Sequence, residues 1–286
     1  MVQILVTGAK GQLGSELHAL AGNHPTWAFT FTDIDTLDIC NIDALENFCK
    51  AKSFNYFINC AAYTAVDKAE ADKDLAYKIN RDAVKNLVSV AAKSNAVFIH
   101  ISTDYVFDGT SSQPYNEDQS INPQSVYGLT KAAGELEALK YQNTIIIRTA
   151  WLYSSFGNNF MKTMLRLGAE KSELRVVFDQ VGSPTYAGDL ADAILAVIDN
   201  IEQQGIKTGI YHFSNEGVCS WYDFAWEILH FVKSNCNVLP IESKEYPTPA
   251  KRPAYSVFNK SKIKKTFQIE IPYWKVSLYK CLNMIK

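Results

Sequence analysis

The sequence has no C-x-x-C pair, no apolar run approaching a membrane span and no excess of charge of either sign. Its six cysteines (Cys40, Cys49, Cys60, Cys219, Cys236 and Cys281) are scattered, and none stands beside a histidine at metal-ligand spacing, which argues against a zinc site or a disulfide scaffold. Reduced, mostly buried thiols are expected. A membrane helix needs ~20 consecutive apolar residues, and no stretch supplies them, so no membrane partner is expected. Lys and Arg number 28 against 30 Asp and Glu, a formal net charge of −2, which leaves no broad cationic field for nucleic acid. The opening MVQILVTG reads as a strand ending in a glycine turn rather than as a charged leader, and the expectation is a cytoplasmic protein. What is present is ordinary globular material: 286 residues, 47% hydrophobic and 20% charged, enough for one large core or two smaller ones.

Apolar runs and helical periodicities alternate along the first half. Strands are expected at Gln3 to Thr7, Trp27 to Asp33, Tyr56 to Cys60, Val97 to Ser102 and Thr144 to Thr149, with helices at Gln12 to Ala21, Ile42 to Lys52, Asp74 to Ser94 and Ser125 to Lys140. That alternation predicts an α/β fold with a doubly wound, Rossmann-like parallel sheet. After Thr149 the regularity breaks, leaving helices at Asn159 to Gly168, Asp189 to Ile201 and Ser220 to Lys233, short strands at Arg175 to Phe178 and Gly209 to Ser214, and a proline-rich EYPTPAKRPAY. The expected division is residues 1–150 with roughly 187–215 for a dinucleotide, and roughly 151–186 with 216–286 as a smaller, discontinuous α/β substrate region.

VTGAKGQLG follows the first strand directly, spacing Gly8, Gly11 and Gly14 as G-x-x-G-x-x-G. Glycine permits close backbone approach to a pyrophosphate, and the helix start behind it offers unpaired N–H groups. Gly8, Gly11, Gln12, Leu13 and Gly14 are the candidate contacts. Asp33 ends the second strand where an acidic group accepts from an adenosine ribose hydroxyl, which favours NAD. TDIDTLDI holds Asp33, Asp35 and Asp38, and strand-end register is loose, so Asp38 and Ile39 join the candidates and the cofactor stays open between NADH and NADPH.

Tyr127 and Lys131 stand four residues apart in VYGLTKAAGELE, on one face of the expected helix, and ISTDYVFDG ends a strand at Thr103. Carbonyl reduction needs a hydride donor, a group that polarises the carbonyl and an acid for the alkoxide. Tyr127 fits the acid, Thr103 the polarising hydroxyl, and an ammonium one turn away from a phenol lowers its pKa.

These motifs, with NCAAYTAVDKAE, RTAWLY, GNNFMKTML, DQVGSPTY and KRPAYS, resemble in order and over nearly the whole chain the extended short-chain dehydrogenase/reductases that act on nucleotide sugars. The resemblance implies hydride transfer from NADH or NADPH to the C4 keto group of a dTDP-linked 4-dehydro-6-deoxy-L-mannose. Tyr127 would be the acid, Lys131 would hold the nicotinamide ribose, and Thr103 would polarise the keto oxygen. Relatives that eliminate water carry an acidic pair after the equivalent threonine. Here Asp104 is followed by Tyr105, so reduction alone is expected, with both residues near the substrate. By the same resemblance Ala61, Ala62 and Tyr63 would line the cofactor, Thr64 and Val66 would lie near the sugar, and Trp151 would stack on the substrate. Asn159 and Phe160 would meet the nucleotide, and Arg252 would clamp the diphosphate.

Some members of the resembled family resemble a magnesium-linked dimer built on three glutamates. Glu16 matches the first, Asp189 replaces the second and Lys275 falls where the third would be, so no metal and a monomer or weak homodimer are expected. The five histidines show no paired spacing and are assigned to core or surface. A reductase of another nucleotide-linked 4-keto-6-deoxysugar, a silent subunit resembling the methionine adenosyltransferase regulator and a redox-sensing binding module are the competing readings.

Overall fold

A computed structural model describes residues 1–50 and 52–285. The first half follows the expected alternation: β1 (Val2–Thr7), α1 (Gln12–Leu20), β2 (Trp27–Thr32), α2 (Ile42–Lys50), β3 (Tyr56–Asn59), the short α3 (Val66–Ala69) and α4 (Lys73–Tyr77), α5 (Ala83–Lys93), β4 (Val97–Thr103), α6 (Val126–Ala138) and β5 (Thr144–Thr149). Ala51, inside the helix expected to reach Lys52, lies outside the described residues. The second half runs β6 (Leu152–Tyr153), α7 (Phe160–Glu170), β7 (Glu173–Val177), β8 (Val181–Gly182), β9 (Thr185–Tyr186), α8 (Ala187–Gln204), β10 (Gly209–His212), β11 (Cys219–Ser220), α9 (Trp221–Phe231), β12 (Asn237–Ile241), α10 (Ser261–Phe267) and α11 (Trp274–Asn283).

Six strands form one parallel sheet in the order β10-β5-β4-β3-β1-β2. β5 shows why the sheet is central: every residue of Thr144–Thr149 is buried. Ile145 and Ile147 face a core shared with α1 and α8, while Ile146 faces the opposite core under α2 and α5. The chain departs on opposite sides of β1, to β2 and to β3, and a crevice at the carboxyl ends of such neighbours is where open α/β sheets bind ligands. Three two-stranded sheets, β11 with β8, β12 with β7 and β6 with β9, belong to the later part of the chain. There a separate core gathers Met161, Phe224, Ile228, Trp274 and Leu278.

One expected helix is not continuous. Asp74 to Ser94 divides into α4, a π-helical turn at Lys78–Asp82 and α5. The π turn sets Asn80, 1% exposed, between the loop after β3 and α6. Its Nδ2 donates to Tyr63 O at 3.1 Å and Thr130 Oγ1 at 3.0 Å, and its Oδ1 accepts from Tyr63 N at 2.8 Å. A hydrophobic period over a long window does not reveal one inserted residue, and single π turns concentrate at functional sites. The helices at 261–267 and 274–283, absent from the sequence reading, bury only Ile263 and Phe267 in the first and a mixed set around Trp274 and Leu278 in the second.

Candidate active site

Glycine loop and adenine end. Gly8 has φ +68°, and a Cβ on it would stand 2.6 Å from Ala61 N. A Cβ on Gly14 would stand 2.3 Å from Gly8 O. These two glycines therefore let β1's loop lie on the loop after β3 and let α1 lie on its own loop. Gly11 is exposed and meets only Gly8 O, at 3.2 Å. It is the N-cap of α1 without a side-chain cap, which leaves the helix start free for an anion. Leu13 and Ile39, both candidates, turn their side chains into the cores and offer only backbone. Asp33 Oδ2 accepts from Lys10 N at 2.8 Å, and Lys10 Nζ lies 2.6 Å from Asp35 Oδ2. The aspartates thus carry a cation beside them, which weakens the electrostatic argument against a 2′-phosphate. Asp38 Oδ1 accepts from Cys40 N at 2.9 Å and shapes the next turn.

Tyrosine, lysine and threonine. Two contacts fix the start of α6: Ser125 Oγ accepts from Gly128 N at 3.2 Å, and Glu70 Oε1 accepts from Val126 N at 2.9 Å. A bidentate pair then ties the helix to the sheet, Arg148 Nε and Nη2 to Glu135 Oε1 and Oε2 at 2.8 and 2.7 Å, all of it buried. So held, α6 presents Tyr127 beside Thr103 and Tyr105, the two tyrosine rings meeting edge to face at 5.3 Å. Lys131 is 2% exposed and donates from Nζ to Ile101 O at 2.7 Å, with His100 Nε2 at 3.4 Å. Burial pushes its amino group down to about 8, against the rise favoured by Glu135 and Cys60.

The phenol departs from expectation. Burial pushes Tyr127 well up, and the neighbour acting downward is the Thr103 hydroxyl rather than Lys131. The Lys131 ammonium is held on the Ile101 carbonyl, and the group bonded to the phenol is Thr103. Thr103 Oγ1 in turn donates to Asp104 Oδ1 at 2.9 Å. Asp104 is 3% exposed, and burial raises its carboxyl to about 6 despite the hydrogen bonds from Thr103 and Ser256.

Substrate side. Arg252 donates from Nη1 to Tyr105 Oη at 3.2 Å and from Nη2 to Asp67 Oδ2 at 2.6 Å, which brings Asp67, absent from the candidate residues, into the site. Burial raises the Tyr105 phenol to about 12. Val66 begins α3 beside Asp67, and Thr64 is exposed just before it. Ala61 and Ala62 are half-buried at the end of β3; Tyr63 follows, its hydroxyl donating to Asp72 Oδ2 at 2.8 Å. Trp151 has φ +50°, a conformation costly for a bulky residue, and its indole stacks on Trp221 at 3.6 Å. One face of Trp151 is therefore taken by Trp221, a partner no pattern in the sequence announced. Phe160 packs at 4.6 Å from Trp221. The Asn159 amide is committed to structure: Oδ1 caps α7 through Lys162 N at 3.0 Å, and Nδ2 donates to Gln12 Oε1 at 2.9 Å and Ser154 O at 2.7 Å.

The acidic positions on α1 and α8 also differ from expectation in their cation. Lys275 pairs with Glu227 Oε2 at 2.5 Å, and it is Lys280 that lies 3.8 Å from Asp189 Oδ1 and acts on Glu16. Glu16 accepts from Ser154 Oγ at 2.6 Å. Among the described residues no three His, Cys, Asp or Glu side chains converge on a cation position.

A parallel sheet with a glycine loop after β1 and a tyrosine, a lysine and a strand-end threonine gathered at its carboxyl edge define the short-chain dehydrogenase/reductase class. Within that class the chain belongs to the family described as RmlD substrate binding domain, whose pattern matches residues 2–286. It is 41% identical to the dTDP-4-dehydrorhamnose reductase of Aggregatibacter actinomycetemcomitans over 97% of both chains. It is 37% identical to the Escherichia coli enzyme of that name, covering 99% of this chain and 97% of that one. A solved dTDP-4-dehydrorhamnose reductase from Clostridium acetobutylicum superposes with a TM-score of 0.94 at 44% identity, covering 99% of each. Another, from Bacillus anthracis in complex with NADP, gives 0.93 at 37% identity, covering 99% of this chain and all of that one.

Proposed function

We propose that this chain reduces the C4 keto group of dTDP-4-dehydro-L-rhamnose to give dTDP-L-rhamnose, with NADPH as the hydride source. The observation that carries the reading is Tyr127 beside Thr103 and Tyr105 on a helix whose Lys131 is buried one turn further on. The relatives named above support the substrate. The NADP in the Bacillus anthracis structure, together with Lys10 beside Asp33 and Asp35, supports NADPH over the NADH that Asp33 alone favours.

The glycine loop fits a dinucleotide, since Gly8 and Gly14 let the loop lie close on the β3 loop and on α1, and the α1 start has no side-chain cap. Gly11, Gln12 and the backbone of Leu13 would hold the pyrophosphate, Lys10 and Asp33 the adenosine end, and Ala61, Ala62, Tyr63 and Lys131 the nicotinamide end. When bound, the cofactor supplies the hydride. Tyr127 then gives its proton to the oxygen at C4, and Thr103 turns its hydroxyl from Asp104 Oδ1 to the same oxygen to polarise it. Burial, which favours the protonated phenol, keeps that proton on Tyr127 until charge develops on the substrate. Arg252 leaves Asp67 and Tyr105 for the diphosphate, where a planar guanidinium matches two oxygens. Trp151 meets the sugar by the surface Trp221 leaves open.

Residues 1–150 with roughly 187–215 form the cofactor half and the remainder the substrate half. The protein works as a monomer or weak homodimer without a metal, Lys280 supplying positive charge beside Glu16 and Asp189; sedimentation with magnesium and with EDTA is expected to give one profile. NADPH and NADH oxidation against dTDP-, GDP- and UDP-linked 4-keto sugars tests the activity. Preferred turnover of the dTDP-linked 4-dehydrorhamnose with NADPH is expected, and no oxidation with any of them would overturn it.

A further inference from the structure

His100 is fully buried on β4, directly behind Lys131, and the proposed reaction does not use it. Its tautomer can be deduced. Asn59 Oδ1 accepts from Ala61 N at 3.1 Å and from Thr7 Oγ1 at 2.8 Å; a backbone N–H can only donate, so the amide cannot be turned round. Asn59 therefore offers Nδ2–H to His100 Nδ1, 3.1 Å away, and that nitrogen must be the acceptor. Burial and the nearby Lys131 charge hold His100 neutral, far below the usual histidine range. A neutral ring accepting at Nδ1 carries its proton on Nε2, the atom 3.4 Å from Lys131 Nζ.

Lys131 thus faces a donor. As an ammonium it has Ile101 O as acceptor and an N–H of His100 opposing it; as a neutral amine it can accept that N–H. We propose that His100 is a positioning residue which, through the tautomer Asn59 imposes, presents a proton donor to Lys131 and so favours loss of a proton from its amino group. Glu135, on the same helix and held by Arg148, pulls the opposite way, while Cys60, after β3, is kept a neutral thiol by burial, which raises it to about 12. Burial already lowers the Lys131 amino group to about 8, and the His100 N–H acts in the same direction. The consequence rests on the proposed function: Lys131, at the nicotinamide end, is more readily the amine, and His100 Nε2–H stabilises that amine.

The test uses the cofactor-free protein labelled with 15N at histidine and lysine, so that it stands apart from the reaction. His100 is expected to show an unprotonated Nδ1 and a protonated Nε2 from pH 6 to 9, and Lys131 Nζ to titrate near 8. In His100→Gln the amide can accept from Asn59 and donate to Lys131, and the midpoint is expected within about half a pH unit of the original. In His100→Phe the donor is lost, and in Asn59→Asp the carboxylate takes Nδ1–H and turns Nε2 into an acceptor. Both are expected to raise the midpoint by one pH unit or more, and the alkaline limb of kcat with it. A protonated Nδ1 in the parent, or an unmoved midpoint in the folded variants, would overturn the proposal. The expected NMR behaviour without any sugar reduction would instead overturn the proposed function and leave His100's effect on Lys131 standing.

Discussion

Burial acts in opposite senses on the two titratable side chains that α6 brings to the site. It raises the Tyr127 phenol and lowers the Lys131 amino group, in each case favouring the neutral form. Tyr127→Phe removes the transferable proton and leaves the ring; turnover is expected to fall roughly 10²-fold or more while NADPH binding, followed by fluorescence, stays unchanged. Asp104 gives a second test at this scale. Its folded value of about 6 lies above the usual 3.8, so between about pH 4 and 6 the folded protein holds more protons here than the unfolded chain. Stability from this group therefore falls as pH rises through that window. Asp104→Asn removes the dependence, and relative to the parent its unfolding free energy is expected to gain on the order of 2–3 kcal/mol between pH 4 and pH 7.5. Urea unfolding at the two pH values measures it; equal changes in both proteins would show that Asp104 is not raised.

At the level of elements, the site depends on how closely helices and loops approach the sheet. Gly128 illustrates this: a Cβ there would meet Tyr105 O at 2.3 Å, so the glycine after Tyr127 lets α6 lie against the loop that carries Thr103 and Tyr105. Gly14 does the same for α1. Gly14→Ala would press its Cβ on Gly8 O and displace the helix start from the loop; NADPH affinity by titration calorimetry is expected to drop at least tenfold, and an unchanged affinity would deny the loop its role. Much of this scale was legible beforehand, because the strand–turn–helix rhythm reports the sheet period and the helix period directly. The π turn was not, since it changes where Asn80 points without changing the hydrophobic pattern around it.

For the molecule as a whole, the late segment KRPAYS ties the loop after β4 to β8. Tyr255 N donates to Gly109 O at 3.1 Å and Ser256 N to Val181 O at 2.8 Å, and Gly109 has room for no side chain against Pro253. The same segment carries Arg252 to Asp67, 185 positions earlier in the chain. Arg252→Ala is expected to raise KM for the nucleotide sugar tenfold or more with kcat little changed, and Arg252→Lys to recover only part, because an ammonium cannot make the bidentate contact. A fall in kcat at unchanged KM would place Arg252 at the chemistry instead. NADPH at about 100 times its Kd is expected to add about 2.7 kcal/mol to the unfolding free energy, read as a rise in Tm that saturating urea-unfolded controls do not show.

The sequence by itself determined the parallel sheet, the glycine loop, the spacing of Tyr127 and Lys131 one turn apart on a helix and the place of Thr103 at a strand end, because those follow from local periodicity. Only the tertiary structure decided what each side chain is bonded to: Thr103 to Asp104, Lys131 to Ile101 O and His100, Arg252 to Asp67, Trp151 to Trp221, and Lys280 rather than Lys275 beside Asp189. These are contacts between residues far apart along the chain or turned by one strained backbone angle. Burial, which shifts the charge each group carries, exists only once the chain has packed.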